Sequence, residues 1–310
     1  MTTTDPLDER VRRCTGTDLR DPRRAATAAR LLGEVLSRPT WSLHRHVHLV
    51  SAFEDARALA PIETVLTVGC GLGLSEQFLA VANPDVHFTL TDVDPKRIEL
   101  ASRSARAHGI TNIEVRLLDL LDEPGDDRFD LVTGIEVLEH IEDDRLAAAH
   151  ARVLASRFVY QLLPGCSETA LDDPDRIRRA FEAHEHFRPG YTHRTLGELF
   201  EGAPVLWMRR CYYAPEAQQL RAELASAGRA ERRRRAASFV GRALVDVRDD
   251  PDARSAGIEV LVAVDELPSS TPERPRWDDR PMPRFPSARL ARGQVERVAA
   301  AVDRRVFRRR

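Results

Sequence analysis

From Glu63 to Pro164 short β-branched runs alternate with stretches of helical periodicity, and this alternation constrains the fold more than any other feature of the chain. ETVLTVG, VHFTLTD, IEVRLLD, FDLVTGI and RFVYQLLP read as five strands, and SEQFLAVANP, PKRIELASRSARAHG and DDRLAAAHARVLAS as helices between them. A strand rejoins a parallel neighbour only through a crossover, usually a helix, so the pattern predicts an α/β fold with helices on both faces of a mostly parallel sheet. After His193 come a short helix and two further strands, VLWMRRCYY and GIEVLVAVDEL, expected as an antiparallel pair at one edge. That makes seven strands.

The flanks read differently. Residues 1–24 are polar and rich in Asp, Arg and Thr, too poor in apolar surface to order themselves, and are expected as a flexible tail. Residues 25–61 carry two helical patterns broken at Pro39 and form an N-terminal helical cap. The sheet domain spans 62–267, with a long helical insertion at about 214–248 before the last strand. Residues 268–310 begin as a proline-rich linker and finish as a basic amphipathic helix.

A net charge of -2 gives no bulk attraction to nucleic acid or membrane. Lys96 is the only lysine, and the run Arg232 to Arg235 reads as a solvated or salt-bridged helix face without interleaved stacking aromatics. The cysteines at 14, 70, 166 and 211 form no Cys-x-x-Cys pair, and no stretch reaches the roughly 18 apolar residues of a membrane span. With no signal-peptide core at the amino terminus, the expected setting is the cytoplasm, with no membrane partner.

Gly69, Gly71 and Gly73 stand where the first strand turns into a helix, the place where backbone must approach a ligand without Cβ obstruction. A dinucleotide fingerprint would want its third glycine at 74, where Leu74 stands. The second strand ends in Asp92, about 20 residues beyond the bend, the spacing at which a carboxylate reaches a ribose. The third ends in Asp119.

This compact bend, with carboxylates at the next two strand tips, resembles the first motifs of the class I S-adenosylmethionine-dependent methyltransferases. The resemblance covers roughly residues 63–200 and implies a Rossmann-like, seven-stranded, mostly parallel sheet with S-adenosyl-L-methionine as cofactor. It assigns the ribose hydroxyls to Asp92, with Asp94 its confusable neighbour, and the adenine amino group to Asp119, with Leu118 or Leu120 on the ring. The helix from Leu74 would point its positive end at the methionine carboxylate. Where the family usually has an acidic residue at the methionine amino group, this chain has Thr67.

The stretch FDLVTGIEVLEHIEDD also resembles the family, including the ubiquinone-pathway O-methyltransferases, and puts Glu136, Glu139 and His140 at the tip of the fourth strand. Glu136 is expected beside the cofactor. His184, His186 and His193 follow the fifth strand in a segment able to fold back over the site, where Tyr191 could line the pocket. In one reading His140, Glu139 and His186 are the catalytic groups, a His or Glu taking the acceptor's proton while the reacting atoms are held in line. In the other, Glu136, Glu139, His140 and one later His bind a divalent metal, a pattern similar to small-RNA terminal ribose methyltransferases.

The preferred expectation is methyl transfer to an O or N of a small-molecule acceptor, its pocket shaped by the N-terminal helices and the insertion, with nucleic acid not expected as partner. A metal-assisted RNA ribose methyltransferase is the alternative within the fold. A non-catalytic cofactor-binding or scaffold protein is the alternative outside it. Oligomeric state is left open.

Overall fold

The computed structural model describes residues 6–213, 216–245, 247–248 and 255–264. The proline-rich segment and basic helix expected over 268–310 lie outside the described residues. The described residues divide into two compact units, one of 6–60 and 216–245, the other of 61–213, 247–248 and 255–264.

The first unit is helical. α1 (Pro6–Thr15) occupies part of the expected flexible tail, burying Val11, Cys14 and Thr15 against α3 (Thr40–Leu59) and α12 (Ala236–Leu244). Composition misled here because part of the surface that orders α1 comes from more than 200 positions away. α2 (Pro22–Ser37) opens on Asp21, whose side chain accepts from the Arg23 and Arg24 N–H groups, and buries Leu31, Leu32, Val35 and Leu36. α3 is buried nearly all round, through Leu43, His44, His46, Val47, His48, Val50 and Phe53, as the central helix of a small unit must be.

The insertion also departs from expectation, being three helices that belong to this unit and not to the sheet domain. α10 (Glu216–Ser226) and α11 (Arg229–Arg234) part at Gly228, and α11 gives way to α12 at Arg235. The arginine run is salt-bridged into this unit on one side, while Arg233 and Arg234 stay exposed. Arg232 donates to Leu36 O at 3.0 Å, the Arg233 guanidinium lies against Gly33, and Arg235 and Arg242 reach Glu223 at 3.0 and 2.7 Å.

The second unit holds one sheet in the order β3-β2-β1-β4-β5-β8-β6-β7. β1 (Thr64–Val68), β2 (His87–Asp92), β3 (Ile113–Leu117), β4 (Phe129–Ile135) and β5 (Ala155–Pro164) are parallel, as predicted. β8 (Ser255–Ala263) inserts antiparallel between β5 and β6 (Val205–Tyr213), so the last two long strands do pair antiparallel. β8 is fitted to that inner place by a run buried from Gly257 to Ala263. β7 (Val247–Arg248) is a two-residue addition on β6 that no periodicity could announce.

Leu66, Val132, Val159 and Val260 share one core with α6 (Asp144–Leu154) and α9 (His193–Leu199), through Ala147, Ala148, Ala151 and Leu196. Each fully buried branched side chain of this kind contributes roughly 1.5–3 kcal/mol. α4 (Leu74–Ala82) and α5 (Pro95–Ala107) run beside β2 and β3. The carboxyl ends of β1, β2, β4 and β5 are thereby fixed relative to one another, and the candidate functional groups sit on those ends.

Candidate functional site

Three glycines with left-handed φ, Gly69 at +63°, Gly71 at +56° and Gly73 at +61°, carry the chain from β1 into α4. A Cβ at Gly69 would lie 2.5 Å from Val137 Cγ2, and one at Gly73 only 2.3 Å from Leu90 Cδ2, so packing alone demands glycine at both. Gly71 differs: a Cβ there would have no described atom within 4 Å, and its backbone faces open space. The bend is tied down by Cys70 N donating to Thr91 O at 2.8 Å and by Gln77 Nε2 donating to Leu72 O at 2.9 Å. α4 starts on Gly73 without a side-chain cap, which leaves the positive end of its dipole to whatever lies over the bend.

Asp92, 3% exposed at the tip of β2, accepts from Gly71 N through Oδ2 at 2.9 Å and from Asp94 N through Oδ1 at 3.0 Å. The carboxylate and the bend are one construction. A carboxylate has about four lone-pair sites, so Asp92 keeps acceptor capacity for a further hydroxyl. Asp94 is told apart by its task, capping α5 by accepting from Lys96 N at 2.8 Å. The Cys70 thiol is pushed up by burial first and then by the charges of Glu76 and Asp92, so it stays protonated in the middle of the bend.

Two other expected cofactor residues stand in different surroundings. The Thr67 hydroxyl is 2.9 Å from that of Thr133 on the neighbouring strand and 2% exposed, so it is engaged inside the sheet. The strand pleat explains it, since alternate residues of β1 face opposite sides and Thr67 faces β4's threonine in register. Asp119 is exposed at the end of β3, and one of its oxygens accepts from Leu121 N at 2.9 Å as an ordinary turn residue would, while Leu120 beside it is buried. Glu136 stands at the tip of β4 with φ +52°, a left-handed conformation that is uncommon for a residue other than glycine.

Glu139 and His140 lie on a single 3-10 turn, Leu138–His140, that follows β4. His186 comes from the loop between α8 (Pro174–His184) and α9, and the ligating atoms of Glu139, His140 and His186 fall within 4.8 Å of one another. The His140 and His186 rings meet edge to face with centroids 4.6 Å apart, and exposed His184 stands 5.2 Å from His186. Burial first, then the charges of His140 and His184, lowers the His186 pKa to about 4, which keeps that imidazole neutral near pH 7. Glu139 is fully buried while His140 is exposed, so the cluster has a hidden and an open side. Glu136 and His193 do not join it among the described residues.

Tyr191, expected as pocket lining, is 1% exposed and donates its hydroxyl to Asp144 Oδ2 at 2.9 Å. Trp207 packs on β6, edge to face with Tyr160 at 6.1 Å, and Tyr212 is buried there, but their strand carries no group of the cluster. The sequence reading missed Gln77, which braces the bend, and the Asp144–Arg188 pair at 2.5 Å beside the cluster. Gln77 had no signal beyond its position in the first turn of α4; Asp144 and Arg188 were readable only as surface charges.

Residues 66–157 match the methyltransferase domain family, a span holding the bend, Asp92, Asp119, Glu139 and His140. Over 104 residues, a third of this chain and 40% of the relative, the sequence is 35% identical to a ubiquinone biosynthesis O-methyltransferase of Methylocella silvestris. It is 29% identical over 126 residues, 37% of this chain and 43% of the relative, to an ajmaline N-methyltransferase of Rauvolfia serpentina. The chain thus spans less than half the length of these curated relatives. A solved structure of a candidate sarcosine dimethylglycine methyltransferase from Galdieria sulphuraria superposes with a TM-score of 0.51 at 16% identity, covering 72% of this chain and 86% of that one, a likeness of fold. Residues 66–157 thus carry the pattern of a methyltransferase domain, and the second unit shares the fold of a solved methyltransferase.

Proposed function

We propose that the protein moves a methyl group from S-adenosylmethionine to an oxygen or nitrogen of a small-molecule acceptor. The observation that carries this reading is the bond from Gly71 N to Asp92 Oδ2 at 2.9 Å, which joins the glycine bend and the strand-tip carboxylate into one cradle. The residues fit the cofactor by a second feature, the open space over Gly71 that a Cβ would enter. Asp92 would hold the ribose hydroxyls, Asp119 and Leu120 the adenine, and the uncapped start of α4 the methionine carboxylate. When bound, the cofactor supplies an electrophilic methyl on a sulfonium; the bond from carbon to sulfur breaks as the bond to the acceptor forms.

The chain's own part on the acceptor side is positioning and proton handling. Neutral His186, with His140 against it, is able to take the proton the acceptor loses. Buried Glu139 brings a carboxylate oxygen within 4.8 Å of both imidazoles. A small acceptor is favoured over nucleic acid because the guanidinium groups of Arg232, Arg234 and Arg235 are each engaged with a carbonyl or carboxylate of the helical unit itself. Relatives named for O-methylation in ubiquinone biosynthesis and for N-methylation of ajmaline support oxygen and nitrogen acceptors alike. No helix among the described residues is long and apolar enough to cross a membrane, and four free cysteines support a reducing cytoplasm.

One observation favours a second reading of the same cluster, a divalent metal on Glu139, His140 and His186, whose ligating atoms already lie within 4.8 Å. One carboxylate and two imidazoles suit Mn or a similar ion, which would supply Lewis-acid grip on acceptor hydroxyls. Calorimetric titration of the full chain tests both readings. Heat with S-adenosylmethionine and none with NAD is expected, and heat with NAD alone would overturn the methyl-transfer reading. Manganese titrated into chelator-washed protein separates the second, since no heat, or heat that survives His140→Ala, removes the metal.

A further inference from the structure

The loop carrying His186 is joined to the stretch 139–144 by several bonds from Phe187 and Arg188. Phe187 N donates to Glu139 O at 2.8 Å. The Arg188 guanidinium reaches Asp144 Oδ2 at 2.5 Å through one nitrogen, and through the other donates to Ile141 O at 3.2 Å and Glu142 O at 3.0 Å. Its face lies over the Tyr191 ring at 5.6 Å, and the Tyr191 hydroxyl returns to the same Asp144 oxygen. Tyr191 is itself anchored to the tip of β5, its N donating to Pro164 O at 2.8 Å and its O accepting from Cys166 N at 2.9 Å.

Segment 139–144 carries Glu139 and His140 at one end and takes every one of Arg188's polar bonds along the rest. The two halves of the cluster therefore come from chain segments more than 40 residues apart, and one planar fork crosses between them. α8, which delivers the loop from the other side, has no buried residue, so it contributes little to holding His186 in place. A loop entered from so exposed a helix needs its fixing from somewhere else.

We propose that Arg188 is a positioning residue, clamping Asp144 and the Ile141 and Glu142 carbonyls so that His186 stands against His140 and the acceptor side is assembled. The catalytic meaning of that contact rests on the methyl-transfer reading; the clamp itself does not. Asp144 is the jaw set in the fold, 5% exposed and braced by Tyr191, and Arg188 meets it from the loop.

The test uses the full chain with ring-labelled histidine. Nuclear Overhauser contact between the His140 and His186 ring protons is expected in the wild type, lost in Arg188→Met, and partly restored in Arg188→Lys, whose ammonium reaches Asp144 but cannot also span two carbonyls. Hydrogen exchange at the Phe187 amide should quicken at least tenfold in Arg188→Met, with Leu66 and Val132 amides unchanged and S-adenosylhomocysteine affinity within twofold. Persistence of the ring contact and of Phe187 protection in Arg188→Met would overturn the clamp. So would loss of protection at Leu66 and Val132 in step with Phe187, because Arg188 would then be a general stabiliser. Failure of the wild type to bind S-adenosylmethionine would sink the functional reading instead, leaving the clamp to be judged by the ring contact.

Discussion

Gly71 and Gly73 share a left-handed backbone but differ in what surrounds them, and that difference yields a quantitative prediction. Gly71→Ala meets no atom within 4 Å, so its folding penalty is the left-handed strain alone, about 1–2 kcal/mol. Gly73→Ala bears the same strain and drives a Cβ to 2.3 Å from the fully buried Leu90, and overpacking of that kind adds roughly 1–3 kcal/mol. Urea unfolding of the full chain should therefore rank the two, with Gly73→Ala losing about 2–5 kcal/mol and Gly71→Ala clearly less. Cofactor binding should rank them the other way. The methyl group added by Gly71→Ala would enter the space assigned to the ligand, and S-adenosylhomocysteine affinity measured by calorimetry should fall at least tenfold, about 1.4 kcal/mol or more. If Gly71→Ala binds as tightly as wild type while still destabilised as expected, the space over Gly71 is not the cofactor's, and the proposed cradle falls with it.

Two further perturbations probe the rest of the molecule. Burial lowers His44 to about 3, with His48 and Arg221 adding to it, and lowers His46 to about 4 against the opposing bond to the Cys14 carbonyl. Both are neutral when folded, while the unfolded chain takes up protons below about 6.5, so stability is complete above that pH and is lost as pH falls toward 4. The pair should remove about 4 kcal/mol by pH 5, read from urea midpoints between about pH 7.5 and 5; a flat profile would contradict the burial of these rings. Glu136→Gly relieves a left-handed φ of +52° and should raise stability by roughly 0.5–1 kcal/mol in the same assay, after glycine's own entropy is subtracted. A loss above about 1 kcal/mol would mean that the Glu136 side chain holds the tip of β4 more firmly than its backbone resists it.

What could be read from sequence was set by how local each feature is. The bend and Asp92 were legible because a strand-to-helix turn fixes its glycines within five residues and one β-α-β crossover fixes the spacing to the next tip. The position of Thr67 in the motif was legible, but the pairing of its hydroxyl with Thr133 was not, because it depends on the register of β1 against β4. The allegiance of α10, α11 and α12 was invisible, since their partners α1, α2 and α3 lie at the far end of the chain. The same limit hid β7, whose two residues pair only because β6 is already there.

The histidines show where residue type stops being informative. His184, His186 and His193 are equivalent as letters within ten positions, and only His186 joins Glu139 and His140. The choice is made by Phe187 and Arg188, which bind the 139–144 stretch and so set which imidazole the loop presents. Arg188 contributes a fork of hydrogen-bond donors and no acceptor. The residue that selects the candidate base is thus one that chemistry-led reading passes over, because its contribution is a fork of bonds between two segments and neither segment announces the other.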